Sequence, residues 1–148
     1  MPALDFSLQI ASNSADLPSN AQFKRWVRAA LRVDTSVTIR IVDEAEGRQL
    51  NADYRGKDYA TNVLTFPLTE VPVLMGDIVI CAPVVAAESV AQHKPLLAHY
   101  AHMTVHGVLH LHGYDHEVDA QAELMEAMEV AILHRLGFAN PYAESSLT

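Results

Sequence analysis

The stretch 36-SVTIRIV-42 is the clearest strand in the sequence, because apolar and polar residues alternate along it. Upstream of it, 4-LDFSLQI-10 alternates in the same way and predicts a half-buried strand. Downstream, turn residues separate the apolar runs 63-VLTFPL-68 and 76-GDIVI-80, which we predict to be neighbouring strands. Pro67 suits the end of its run or an edge position, because proline cannot donate a hydrogen bond to a sheet. The pattern therefore predicts about four strands.

Two helices are predicted in the same part of the chain, each from a capping box at its start. Ser19 with Gln22 forms the first box, and Asp43 with Glu46 forms the second. The residues at which these helices are predicted to end are Leu31 and Tyr54. The first helix has an apolar face, made of Phe23, Trp26, Val27, Ala30 and Leu31.

The second half of the chain is predicted to be helical. Pro83 and Pro95 each suit the first turn of a helix, and Gly113 and Gly137 each suit a helix end. The helix with Pro83 in its first turn is predicted to run to about Gln92. The next two are predicted from Pro95 to about Leu111 and from about Asp119 to Leu136. Residues after about Pro141 are predicted to be a tail. Early strands and late helices predict an α+β fold, with a small mixed sheet of about four strands packed with about five helices.

The composition of the 148 residues fits one globular domain over residues 1–148, because half of them are hydrophobic. The lone Cys81 cannot form a disulfide within the chain, and the first residues lack the basic and apolar regions of a signal peptide. No apolar run approaches the roughly 18–20 residues that span a bilayer. We therefore expect a cytoplasmic protein without a membrane partner.

Charge is distributed unevenly along the chain. Residues 1–57 carry eight Lys or Arg and seven Asp or Glu, whereas residues 58–148 carry two and eleven. The net charge of −8 therefore does not exclude an anionic partner at the N-terminal half. The opposite face of the first predicted helix carries Lys24, Arg25, Arg28 and Arg32. Such a face is usually only solvated, and the alternative is a contact with RNA or phosphate.

Four histidines fall in the stretch HGVLHLHGYDH, residues 106–116. His106 and His110 lie one helical turn apart, so a helix brings both to one face. Gly113 can adopt the positive φ that ends a helix, and the following turn would bring His116 back toward them. Three imidazoles leave a fourth tetrahedral position open, which is typical of catalytic zinc. The spacing therefore predicts a zincin-like metal site on a helix and turn, with His106, His110 and His116 as ligands.

Other groups near this motif are assigned lesser roles. His102 shares the helix face, but eight residues, about 12 Å along the axis, separate it from His110. One zinc ion cannot bind both His102 and His110, so we predict that His102 is a hydrogen-bonded residue of the pocket. His112 lies on another face and is predicted to support the ligands or to lie at the surface. Asp115 is a candidate general base because it lies within the motif; the alternative is a carboxylate that caps the turn or orients a ligand imidazole.

Gly107 occupies the position at which a metalloprotease with this ligand spacing has its glutamate. That glutamate takes the proton from the zinc-bound water, and glycine cannot. A phosphodiester suits such a site better than a peptide bond, because a metal and a cation can together stabilise negative charge on the phosphoryl oxygens. Arg55 and Lys57, in the polar loop 55-RGKDYATN-62, are the candidate cations, and the alternative is that they only make this loop soluble.

Three segments of the chain closely resemble the YbeY family, namely 50-LNADYRGKDYATNVLTFP-67, 76-GDIVI-80 and 102-HMTVHGVLHLHGYDH-116. Its members are bacterial metal-dependent endoribonucleases, also described as rRNA maturation factors. The likeness runs in order from about residue 36 to about residue 142. It implies a single-domain α+β fold, one zinc or other divalent metal ion per chain at the three histidines, and a catalytic role for Arg55.

The resemblance also implies a substrate and partners. The reaction would be hydrolytic cleavage of single-stranded RNA, in maturation of the 16S rRNA 3′ end and in ribosome quality control. The partners would be rRNA, the small ribosomal subunit and ribosome-associated assembly factors. Three positions depart from residues common in the family, namely Ala60 for proline, Thr65 for serine and His112 for leucine. His112 adds an ionisable group beside the ligands.

The leading hypothesis is therefore an endoribonuclease in which metal-activated water attacks a phosphodiester and Arg55 binds or neutralises the phosphate. In this hypothesis the basic face of the first helix helps to hold the RNA. Possible supporting or substrate-binding residues are Lys57, His102, His112 and Asp115. One alternative is a metzincin-like metallopeptidase, because the ligand spacing is shared. The other is a ribosome-assembly binding factor in which the metal is structural.

Overall fold

The computed structural model describes residues 2–114 and 117–143. The strands are β1 (Leu4–Ala11), β2 (Thr35–Val42), β3 (Val63–Thr69) and β4 (Leu74–Cys81). The helices are α1 (Asn20–Ala30), α2 (Glu44–Arg55), α3 (Ala82–Ala91), α4 (Leu96–Leu111) and α5 (Asp119–Arg135). Over these described ranges the predicted α+β fold is confirmed, with four strands and five helices.

The four strands form one mixed sheet in the order β1-β2-β4-β3. Strands β1, β2 and β4 run parallel, and β3 pairs with β4 in the antiparallel direction. The predicted neighbours are therefore confirmed, and β3 is an edge strand. Pro67 lies on this edge, next to a shift in register between Pro67 and Thr69, where its missing N–H costs no ladder hydrogen bond.

Helices α1 and α4 pack together over the main hydrophobic core. The predicted capping box of α1 is confirmed, because the Ser19 hydroxyl accepts from the Gln22 N–H at 3.1 Å and the Gln22 side chain accepts from the Ser19 N–H at 2.8 Å. The ring of Phe23 meets that of Tyr100 on α4 edge to face, with centroids 6.1 Å apart. This contact fixes α1 beside the helix that carries the motif histidines.

The second predicted capping box is wrong. Asp43 precedes α2, but its side chain makes no cap hydrogen bond. Its carboxylate instead accepts from the Ser12 hydroxyl and, at 3.1 Å, from the Asn13 N–H. The reason is the parallel register that pairs Ala11 with Val42, which places the segment after β1 beside the start of α2.

Residues 141 and 142, where the predicted tail begins, contact the rest of the domain. The Lys94 ammonium donates to the Pro141 carbonyl, and the Tyr142 hydroxyl donates to Glu129 at 2.6 Å. These two contacts tie residues 141 and 142 to the domain, while residues 144–148 lie outside the described part of the chain. None of the helices in that described part combines the length and apolar character needed to cross a membrane.

Candidate metal centre

Helix α4 presents His106 and His110 to one cleft of about 270 Å³. The two residues lie one turn apart, and the centroids of their rings are 6.3 Å apart. The cleft wall also includes Arg55 from the end of α2, Thr65 from β3 and Glu117, which precedes α5. Two of the three predicted ligands and the predicted cation therefore line the same space.

Each of these two histidines is held through its Nδ1 atom. Nδ1 of His106 lies 3.2 Å from Oε2 of Glu129, and Nδ1 of His110 lies 2.9 Å from the hydroxyl of Thr65. Metal-ligating histidines commonly use one ring nitrogen for such a partner and the other for the metal. The arrangement makes Nε2 of each ring the candidate ligand atom, so the donor set fits a zinc ion.

The turn after α4 agrees with the predicted role of Gly113. This residue has a φ of +94°, a conformation that favours glycine, and its N–H donates to the His110 carbonyl at 3.0 Å. The predicted third ligand, His116, and the candidate base, Asp115, lie outside the described residues. Within residues 2–114 and 117–143, no three His, Cys, Asp or Glu side chains are grouped to hold a metal ion. The complete ligand set stays a prediction.

Arg55 is the last residue of α2, and its side chain is exposed where it lines the cleft. Gly56 follows with a φ of +70° and ends the helix, so the chain turns away immediately after Arg55. Lys57 is exposed on the far side of this turn and does not line the cleft. The loop is fixed by the Arg48–Asp58 ion pair, at 2.7 and 3.0 Å. Of the two predicted cations, Arg55 is the one brought to the histidines.

Glu129 is a site residue that the sequence interpretation missed. It is 1% exposed, and its Oε1 lies 2.5 Å from Nε2 of His102 and accepts from the Tyr142 hydroxyl, while Oε2 faces His106. Burial opposes ionisation, but the hydrogen bonds from His102, His106 and Tyr142 outweigh it and lower the Glu129 pKa to about 2. A buried carboxylate thus connects His102 and His106, on successive turns of α4, to α5.

His102 and His112, two of the predicted supporting residues, do not line the cleft. His102 is buried and faces Glu129, which agrees with a hydrogen-bonded residue rather than a ligand. His112 donates from Nδ1 to the Val108 carbonyl at 2.8 Å and accepts at Nε2 from the Arg32 N–H at 3.2 Å. Burial lowers the His112 pKa. His112 therefore joins α4 to the end of α1.

Gly107 faces the sheet rather than the cleft. A Cβ atom at this position would lie 3.0 Å from Cγ2 of Ile78 on β4, a distance that forces one of the two to shift. The glycine thus allows α4 to approach the sheet closely. A glutamate here would enter the packed core, and its carboxylate would be buried away from His106 and His110.

We expect Glu129→Gln to lower the affinity for a divalent metal by about 10–100-fold, because a neutral amide orients the His106 imidazole less strongly than a carboxylate. Competition of the purified protein with a chromophoric chelator for Zn²⁺ measures this affinity. The matched control is Glu123→Gln, an exposed residue six positions earlier on α5. Thermal unfolding of both variants separates a loss of fold from a loss of affinity. Equal zinc affinity in the two variants would contradict the role of Glu129.

Comparison with known proteins gives a consistent result. The family described as "Endoribonuclease YbeY" matches residues 9–137. An Endoribonuclease YbeY of Methylobacillus flagellatus is 62% identical over 97% of this chain and 96% of its own length. Another, of Aromatoleum aromaticum, is 58% identical over 90% of this chain and 86% of its own. A solution structure of a Thermotoga maritima protein superposes with a TM-score of 0.58 at 25% identity, covering 98% of this chain and 99% of that one.

Proposed function

The chain belongs to the Endoribonuclease YbeY family, and from this we propose that it is a metal-dependent endoribonuclease that cleaves single-stranded RNA in rRNA maturation. The observation that carries the chemistry is the shared cleft of Arg55, His106 and His110. A cation beside two imidazoles on one helix face suits a phosphodiester, whose transition state gathers negative charge on phosphoryl oxygens.

The proposed cofactor is one zinc ion, held by His106, His110 and His116. When bound, zinc supplies Lewis-acid activation of water near neutral pH. The protein orients the ligand imidazoles, since Glu129 holds His106 and Thr65 holds His110. The Arg55 guanidinium binds the phosphate that is cut and neutralises its charge. The general base is unassigned, and Asp115 stays the candidate from the sequence.

The metallopeptidase alternative loses support from the position of Gly107. The ligand spacing is that of a metzincin, but the residue beside the first ligand points at Ile78 and not into the cleft. The backbone therefore gives this position no access to a water molecule in the site. A peptidase would need another residue in the site to take the proton from the attacking water and then pass it to the leaving amine.

The first test compares substrates. We expect the purified protein with Zn²⁺ to cleave an unstructured single-stranded RNA of about 20 nucleotides, and to leave both the matching duplex and casein intact. Removal of the metal with a chelator should abolish cleavage, and added Zn²⁺ should restore it. Gel electrophoresis of end-labelled RNA gives the rates. Cleavage of casein with no metal-dependent cleavage of RNA would favour the peptidase instead.

A binding factor with a structural metal is the second alternative. Two folded variants, His110→Ala and Arg55→Glu, distinguish such a binding factor from an enzyme. Each variant is tested in cells for binding to the small ribosomal subunit and for rRNA processing. If both variants bind normally and support processing, cleavage at this site is not the cellular function. The endonuclease proposal expects normal binding with defective processing at the 16S rRNA 3′ end.

Partners and location are part of the same proposal. An rRNA substrate supports association with the small ribosomal subunit and its assembly factors, and a role in ribosome quality control. A cytoplasmic location fits such a substrate, and it also fits the buried free thiol of Cys81.

A further inference from the structure

Helix α1 carries three basic residues that the proposed reaction does not use, Lys24, Arg25 and Arg28, and Arg32 follows two residues after the helix ends. We call these four residues the basic face of α1. All four residues are exposed, and α1 contains no Asp or Glu. In the described part of the chain, none of these four side chains takes part in a salt bridge. Lys24 and Arg28 lie about 6 Å apart along the helix axis, at about 1.5 Å per residue. The result is a row of cations that no carboxylate of the described residues pairs with.

Arg32 connects the basic face to α4, two residues beyond His110. The Arg32 N–H donates to Nε2 of His112, at 3.2 Å, and His112 is only two residues beyond His110. A second cleft, of about 370 Å³, lies at this junction and is lined by Arg32, His112 and Tyr114, with the Glu70 carboxylate also on its wall. The edge-to-face contact of Phe23 with Tyr100 fixes the rest of α1 along α4. These contacts with α4 hold the basic face in a fixed position relative to His110.

Acidic residues border the site where α5 begins. Glu117 lines the cleft of His106 and His110, and Glu126 lines the space on the other side of His106. The first two turns of α5 also carry Asp119 and Glu123, and they contain no Lys or Arg. A polyanion that leaves the cleft is repelled along α5 and attracted along α1. The charges thus favour one direction for a bound strand.

We propose that the basic face of α1 is an RNA-binding surface that holds the backbone of the strand being cut, on one side of the cleavage point. This inference rests on the proposed function and adds the path of the substrate to it. Contacts from Lys and Arg to phosphates position a nucleic acid without reading its sequence. Tyr114 lines the same cleft as Arg32 and His112, and its ring offers a surface on which a base of this strand can stack.

The test is the triple variant Lys24→Gln, Arg25→Gln, Arg28→Gln, assayed with zinc on an end-labelled oligouridylate of 16 nucleotides. Each phosphate contact contributes about 0.7 to the slope of log affinity against log salt for single strands, so we expect the slope of log(1/KM) to fall by about 2. Between 50 and 200 mM salt, the wild-type KM should then rise about 20-fold more than the variant KM. The kcat should not change, because these contacts lie away from the reacting atoms.

The charge-matched control is Arg40→Gln, Arg48→Gln, Arg135→Gln, which takes the net charge from −8 to −11, as the α1 variant does. Thermal unfolding checks that both variants are folded. If the two variants have the same KM and the same salt slope, the surface is not an RNA-binding site, although the enzyme still cleaves RNA. If the wild-type protein does not cleave the oligouridylate, the proposed function fails and this inference fails with it.

Discussion

Replacing His110 with alanine is expected to lower the rate of RNA cleavage by about 10³-fold and to reduce the bound metal to well below one ion per chain. The imidazole is one of three predicted ligands, and its loss removes both the metal and the activation of water that the metal supplies. A 10³-fold loss corresponds to about 4 kcal/mol of transition-state stabilisation, which is the range expected for one metal ion. Elemental analysis and single-turnover kinetics measure the two effects separately.

The matched control is His134→Ala, an exposed histidine on α5. It removes the same side chain without touching the cleft, so metal content and rate should equal those of the wild-type protein. His106→Ala should behave like His110→Ala, because the two rings line the same cleft. A His110→Ala protein that keeps both its metal and its rate would show that this histidine is not a ligand.

Much of the fold could be predicted because its signals act over a few residues. The alternation in 36-SVTIRIV-42 reports the burial of every second side chain in β2, where the observed pattern is close to alternating. The Ser19–Gln22 box and the positive φ of Gly113 are likewise local, and both are present in the structure. The spacing of His106 and His110 by one helical turn is also a local signal, and the two side chains line one cleft in the structure.

The features that could not be predicted depend on contacts between distant parts of the chain. Asp43 carries a local capping signal, but Ser12, 31 residues away, takes its carboxylate because β1 and β2 are parallel neighbours. His102 and Glu129 are 27 residues apart, and His110 and Thr65 are 45 apart. Such partners depend on how α4 packs against α5 and β3. The sequence did contain one signal for Glu129, namely a charge in line with the buried Met125, Ile132 and Leu133 of α5.

Replacing Arg55 with alanine is expected to lower kcat for RNA cleavage by about 10²–10³-fold and to leave the metal content unchanged. The guanidinium lines the cleft without being a metal ligand, so its loss removes charge stabilisation at the phosphate and keeps the ion in place. This combination separates Arg55 from the histidines, whose replacement affects metal and rate together. Single-turnover rates and elemental analysis of the same preparation test it.

The matched control is Arg48→Ala, because Arg48 lies on the same helix but pairs with Asp58 outside the cleft. Its surface ion pair contributes about 0–1 kcal/mol to stability, so the variant should fold and cleave RNA at nearly the wild-type rate. Arg55→Lys restores the charge without the two-pronged geometry of guanidinium, and we expect it to recover only part of the rate. Equal kcat values for Arg55→Ala and Arg48→Ala would exclude a role in charge stabilisation. If Arg55→Lys recovered the whole rate, charge at this position would matter and the geometry of guanidinium would not.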